Sequence, residues 1–268
     1  MNYINSKNNL NIKDLIKIRD DSKFRNTKSL FYIEGERIFK DTPVNLINKI
    51  FVLEDEVDYF KPVLTKFDEN LIYIISKNVF NYIKSTVNTQ GIIAIVKYNL
   101  KKSLDDSFCN QIKNCIILDS INDPGNLGTI IRLAEASKID LVVLTNNCCN
   151  IYNIKTIRAS MSSIFRLNIY VSNNICDDLN ILRNCGFKIF ATNLSNNSTC
   201  YTQIDFTGKN IVIFGNEANG ICSELLNMST DFIKIPMKGS IESLNVAISV
   251  AVICYEIMRQ NAFYEAKS

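Results

Sequence analysis

Three polar, glycine-rich stretches carry the residue types that could do chemistry. The first, residues 119–128, runs into a helical pattern that bears Arg132. The second is Gly215-Asn216-Glu217-Ala218-Asn219-Gly220, and the third spans residues 236–245. Together they offer carboxylates, side-chain amides, hydroxyls and one guanidinium. The chain has no histidine, which removes an imidazole general base and the familiar Cys/His zinc sites. None of the nine cysteines forms a C-x-x-C pair. No Gly-Lys-Ser/Thr follows a glycine-rich turn, and Gly125-Asn126-Leu127-Gly128 has the wrong glycine spacing for a dinucleotide fingerprint. Taken singly, each stretch also reads as a turn or a helix cap. Three of them, each directly after an apolar run, point to a ligand site.

The elements that must position these stretches are strands and helices in alternation. From about Asn114, short apolar runs at residues 115–118, 141–144, 187–191, 211–214 and 233–235 read as strands, with helical spacing over 130–136 and 244–260. Such alternation implies an α/β fold with a mostly parallel sheet, whose ligands bind beyond the carboxyl ends of the strands. All three polar stretches fall there. Residues 1–105 differ in character: a basic helical start, strand-like runs at 29–33, 50–53, 72–75 and 91–96, and hence a smaller α/β domain. The polar stretch 99–111 is the linker candidate. Residues 1–40 hold nine Lys/Arg against five Asp/Glu, which suits a polyanion such as RNA and equally a solvated helical face.

The residues after Met1 lack the apolar core of a signal peptide, and the stretch 244–258, interrupted by Asn245 and Glu256, is too short to span a bilayer. The expectation is a cytoplasmic protein with reduced thiols and no membrane partner.

Asn126-Leu127-Gly128-Thr129-Ile130-Ile131-Arg132 resembles the first signature of the SpoU (TrmH-like) family of RNA ribose methyltransferases, within the SPOUT superfamily. Phe214-Gly215-Asn216-Glu217 through Gly220 resembles the second, and Ile235-Pro236-Met237 through Ser243-Leu244-Asn245-Val246-Ala247 the third, in the family's order. Phe31-Tyr32-Ile33-Glu34-Gly35-Glu36-Arg37 and Gln90-Gly91-Ile92 resemble the substrate-binding domain often attached to such enzymes. The resemblance implies an RNA substrate-binding domain over 1–105 and a trefoil-knotted methyltransferase domain over 106–268. It implies S-adenosyl-L-methionine as cofactor, no metal, and a homodimer with the site near its interface. It implies methyl transfer to a ribose 2′-hydroxyl of ribosomal RNA, with transfer RNA as the other candidate. The rival reading is a non-catalytic RNA-binding protein on the same scaffold.

By motif position, the resemblance puts cofactor contacts at Gly215, Ile235 and Leu244, and the acceptor's surroundings at Asn126, Arg132, Glu217, Ser243 and Asn245. Arg132 is either a base or, because a guanidinium is very hard to deprotonate, a fixed positive charge for the developing alkoxide. Glu217 is expected to orient that guanidinium, and Ser243 is either a site residue or a helix cap. Arg158 and Arg37 are the RNA-contact candidates. The family commonly has glycine where this chain has Ser162, and often proline at the place of Asn168, so an altered turn is expected there if positive φ is needed.

Overall fold

The computed structural model describes residues 2–194, 197–241 and 243–265, the side chains of 263–265 excepted. The chain divides into two compact units, one of residues 1–99 with 152–157, the other of 100–151 with 158–268. The divide falls inside the stretch expected as a linker. That stretch is not all linker, because Asp106–Gln111 is helical and buries Cys109, and Leu104 is buried with it in the core of the second unit.

In the first unit, strands β1 (Asn2–Ile4), β2 (Leu30–Glu34), β3 (Ile47–Leu53), β4 (Ile72–Ile75) and β5 (Ile92–Lys97) form one sheet in the order β1-β4-β3-β5-β2. Helix Leu10–Asp20 buries Ile12, Leu15 and Ile18, one stripe at helical spacing, against Val79, Phe80 and Ile83 of helix Lys77–Ile83. Residues 152–157 belong to this unit through Tyr152, whose ring stacks on Phe31 (centroids 4.3 Å) and Tyr98 (3.9 Å). Its hydroxyl donates to Asn99 Oδ1 and accepts the Asn99 N–H, both at 2.9 Å.

The Glu34-Gly35-Glu36-Arg37 segment has a structural explanation. The Glu34 carboxylate leaves the end of β2 and accepts from the Ser85 N–H (2.8 Å), the Ser85 hydroxyl, the Thr86 hydroxyl (2.6 Å) and the Tyr32 hydroxyl (2.8 Å). Gly35 (φ 113°) and Gly91 (φ 74°) both occupy the region that favours glycine, and a Cβ on Gly91 would lie 2.5 Å from Glu56 Cγ. Gln90 Oε1 accepts the Glu36 N–H at 2.8 Å.

In the second unit, β6 (Asn114–Leu118), β7 (Leu141–Thr145), β8 (Asn168–Ser172), β9 (Lys188–Thr192), β10 (Thr199–Cys200), β11 (Asn210–Phe214) and β12 (Asp231–Lys234) form a sheet in the order β10-β12-β9-β11-β6-β7-β8. Every pairing in it is parallel, so the expectation of a mostly parallel sheet is met in full. Strands β6, β7 and β11 are buried along their whole length, as their unbroken apolar runs require. Helix Pro124–Ala136 packs on helix Val246–Glu265, burying Ile130, Ile131 and Ala134 on one and Val250, Ile253, Cys254 and Ile257 on the other. All-parallel pairing puts the carboxyl ends of β6, β9, β11 and β12 at one edge, and the polar stretches leave from that edge.

Candidate active site

Two helix starts and one loop build the site. Pro124 opens helix Pro124–Ala136, and the Asp123 carboxylate caps it by accepting the Asn126 N–H at 2.7 Å. That fixes Asn126 in the first turn. Asn245 stands directly before helix Val246–Glu265, and its Oδ1 accepts the Ala247 N–H at 3.0 Å. Capping was the alternative to a site role for the residues before this helix. Asn245 takes that place, and Ser243 does not.

Glu217 joins the two helix starts. Its Oε1 accepts Asn126 Nδ2 (2.8 Å), Asn245 Nδ2 (3.2 Å) and the Val246 N–H (3.4 Å). Asn245 Nδ2 also donates to Asn126 Oδ1 at 3.1 Å. A carboxylate at a helix N-terminus is favoured by the helix dipole, and an acceptor-only group suits three converging donors. The three sequence candidates Asn126, Glu217 and Asn245 thus form one cluster from three separate stretches. Among the described residues Glu217 and Arg132 share no hydrogen bond or ion pair; Arg132 is exposed on the helix that carries Asn126 and has no such partner there.

Beside this cluster lies a cavity of about 350 Å³, walled by Ile221, Leu226, Ile233, Ile235, Leu244 and Ile253, with Asn193, Asn219, Ser243 and Lys234 as polar lining. Ile235, Leu244 and Ser243 were candidates; Asn219 lies within the second polar stretch without having been singled out, and Asn193 had no sequence signal beyond following a strand. Gly215 is not among the lining residues. Its need for glycine comes from the chain itself: a Cβ there would lie 2.2 Å from the Gly220 carbonyl carbon and 2.5 Å from the Ile221 nitrogen. Asn216 and Gly220 exchange backbone hydrogen bonds (3.0 and 2.8 Å) across this tight loop.

Asp119, in the first polar stretch but not among the candidate residues, is a buried carboxylate. It is 3% exposed at the end of β6 and accepts the Cys222 N–H at 2.8 Å, the Ser120 hydroxyl at 3.0 Å and the Thr145 hydroxyl at 3.3 Å. Cys148 lies alongside, donating to the Leu118 carbonyl (3.2 Å), and burial raises its thiol pKa, which keeps it a neutral donor.

Arg158 is exposed near the end of helix Ile154–Ser160, and Arg37 is exposed in helix Glu36–Asp41 of the first unit. Arg158 shares no hydrogen bond with the cluster around Glu217 among the described residues. Ser162 has φ 69° and is buried, so serine adopts the left-handed conformation that the family's glycine would take without strain. Among the described residues no group of three or more His, Cys, Asp or Glu is placed to hold a metal ion, and no helix is long and apolar enough to cross a membrane.

Residues 113–255 match the SpoU rRNA Methylase family. Over 259 residues, covering 96% of this chain and 99% of the relative, the sequence is 29% identical to the 23S rRNA (guanosine(2553)-2′-O)-methyltransferase RlmP of Bacillus subtilis (strain 168). It is 31% identical over 191 residues to an uncharacterised tRNA/rRNA methyltransferase of Mycoplasma genitalium, covering 67% of this chain and 77% of that one. The crystal structure of an AdoMet-bound rRNA methyltransferase from Sinorhizobium meliloti superposes with a TM-score of 0.82, covering 96% of this chain and 97% of that one at 25% identity.

Proposed function

Since the chain belongs to the SpoU rRNA methylase family, we propose that it transfers a methyl group from S-adenosyl-L-methionine to a ribose 2′-hydroxyl of ribosomal RNA. The observation that carries this reading is the cavity at the strand ends, bounded by Ile235 and Leu244 and adjoining the Asn126–Glu217–Asn245 cluster. Its volume is in the range of small-molecule sites, and its lining fits the cofactor: aliphatic walls for a flat base, amide and hydroxyl groups for ribose and amino-acid polar atoms. The stretch around this cavity is where the family's trefoil knot is expected.

When bound, the cofactor supplies an electrophilic sulfonium methyl. The chain's residues hold the acceptor oxygen in line with it and manage the charge that develops on that oxygen. Glu217 locks Asn126 and Asn245 in one orientation, and so fixes the starts of both helices beside the cavity. Arg132 is exposed and unpaired among the described residues, which leaves its guanidinium free for an RNA phosphate and the developing alkoxide. In this reading the guanidinium acts as a fixed positive charge, and the hydroxyl proton passes to solvent. Ser243, on the cavity lining, is a donor at the rim.

The first unit and Arg158 serve RNA binding in this reading, with Arg37 as the exposed cation next to the Glu34 clasp. Ile248 and Tyr255, exposed on one face of helix Val246–Glu265, provide the apolar surface for a homodimer. The test is to incubate the protein and methyl-labelled cofactor with unmodified ribosomal RNA and, in parallel, unmodified transfer RNA, then digest each RNA to nucleosides. A 2′-O-methylnucleoside is the expected product. Label on a base instead, or label appearing only in transfer RNA, would overturn the corresponding part of the assignment.

A further inference from the structure

The Gly215–Cys222 loop carries Glu217 and two residues of the cavity wall, Asn219 and Ile221. It is fixed at both feet to the same dipeptide at the end of β6. At its start, Asn216 Nδ2 donates to the Ser120 carbonyl at 2.8 Å. At its end, the Cys222 N–H donates to Asp119 Oδ2 at 2.8 Å. Asn216 Oδ1 also accepts the Ala218 N–H at 2.8 Å, so the same side chain shapes the loop from within.

The dipeptide is itself held rigidly. The Asp119 N–H continues the β6–β11 ladder by donating to Phe214 O at 2.8 Å. Thr145, at the end of β7, donates to Asp119 Oδ1 and accepts the Ser120 N–H at 3.0 Å. Ser120 has φ 58°, the left-handed conformation that turns its carbonyl to Asn216. Asp119 therefore links β6, β7 and the loop, and it is satisfied only by N–H and O–H donors, with no cation among the described residues. Three donors converge on this one buried acceptor group, and removing it would leave the Cys222 N–H at the foot of the loop without a partner.

We propose that Asp119 is a positioning residue for the methyl-transfer reaction, acting through the Cys222 N–H to hold the loop that forms one cavity wall and presents Glu217. The inference rests on the functional reading above, in which that cavity takes the cofactor. Asp119 touches neither cofactor nor acceptor; it sets the geometry of groups that do.

The test is calorimetric titration of the full-length protein with S-adenosylmethionine for wild type, Asp119→Ala and Asp119→Asn, with hydrogen exchange of the 215–222 amides measured alongside. Asp119→Ala leaves the Cys222 N–H unpartnered and should raise the cofactor Kd at least about tenfold, with faster exchange across the loop. Asp119→Asn can still accept that N–H through its amide oxygen and donate to a hydroxyl, so it should restore affinity to within about threefold of wild type. Should Asp119→Ala not fold, Asn216→Ala releases the other foot of the loop and is expected to weaken cofactor binding in the same way. Wild-type affinity and unchanged loop exchange in folded Asp119→Ala would overturn the proposal and leave the functional reading standing. Failure of the wild type itself to bind the cofactor would overturn that reading and this proposal with it.

Discussion

Arg132 and Ser162 make different demands on a single side chain. Arg132 is exposed and carries no internal partner among the described residues, so its replacement should leave the fold alone. Arg132→Ala is expected to lower turnover at least about a hundredfold while the cofactor Kd moves less than about twofold, because the charge is needed only as the alkoxide forms. Steady-state kinetics beside a binding titration checks this, and near-wild-type turnover would remove Arg132 from the mechanism. Ser162 is the opposite case: buried, with φ 69°. Ser162→Gly removes the left-handed strain but adds freedom to the unfolded chain, for a net gain of about 0.5–1 kcal/mol. A thermal midpoint that falls instead would mean that the serine side chain contributes more than its backbone costs.

Among the elements, the Glu34 clasp ties the end of β2 to the loop at Ser85 and Thr86 and gives the first unit a pH dependence. Burial alone would raise this carboxyl's pKa; hydrogen bonds from Ser85, Thr86 and Tyr32 outweigh it and hold the group below its ordinary value. A depressed carboxyl pKa contributes stability that is complete above the unfolded value of about 4.3 and is lost as pH falls through the lower folded one. Calorimetric unfolding from about pH 6 down to pH 3 should therefore show a loss in wild type that Glu34→Gln lacks, together with a lower midpoint for Glu34→Gln at neutral pH. Parallel pH profiles for the two proteins would contradict the clasp. The strands that escaped the sequence reading, β1, β8 and β10, all lie at sheet edges. β1 and β10 are three and two residues long, and β8 is partly exposed with a run of three apolar residues, whereas the fully buried β6, β7 and β11 announce themselves. The site was legible for a different reason. Asn126, Glu217 and Asn245 fall in three motifs, and their meeting in space follows from parallel pairing, which brings the strand ends to one edge. Asp119 was not legible, because one acid after an apolar run looks like any turn former until its burial is known.

At the scale of the whole molecule, the proposed function gives methyl transfer to the second unit and RNA binding to the first, and pairs two chains through the exposed face of helix Val246–Glu265. Ile248 (52% exposed) and Tyr255 (45%) are large apolar groups on that helix. Ile248→Asp with Tyr255→Asp should shift the protein from dimer to monomer in sedimentation velocity, since a charge in an apolar interface is costly. A wild type that sediments as a monomer at micromolar concentration would contradict the pairing. In the proposed function the cavity between Ile235, Leu244 and the Glu217 loop binds S-adenosylmethionine. Calorimetric titration of the full-length protein with S-adenosylmethionine, and with S-adenosylhomocysteine as second ligand, tests it most directly. Saturable binding of both at about one per chain, undiminished by a metal chelator, is expected. A folded protein that binds neither would contradict it and favour an RNA-binding protein without catalysis.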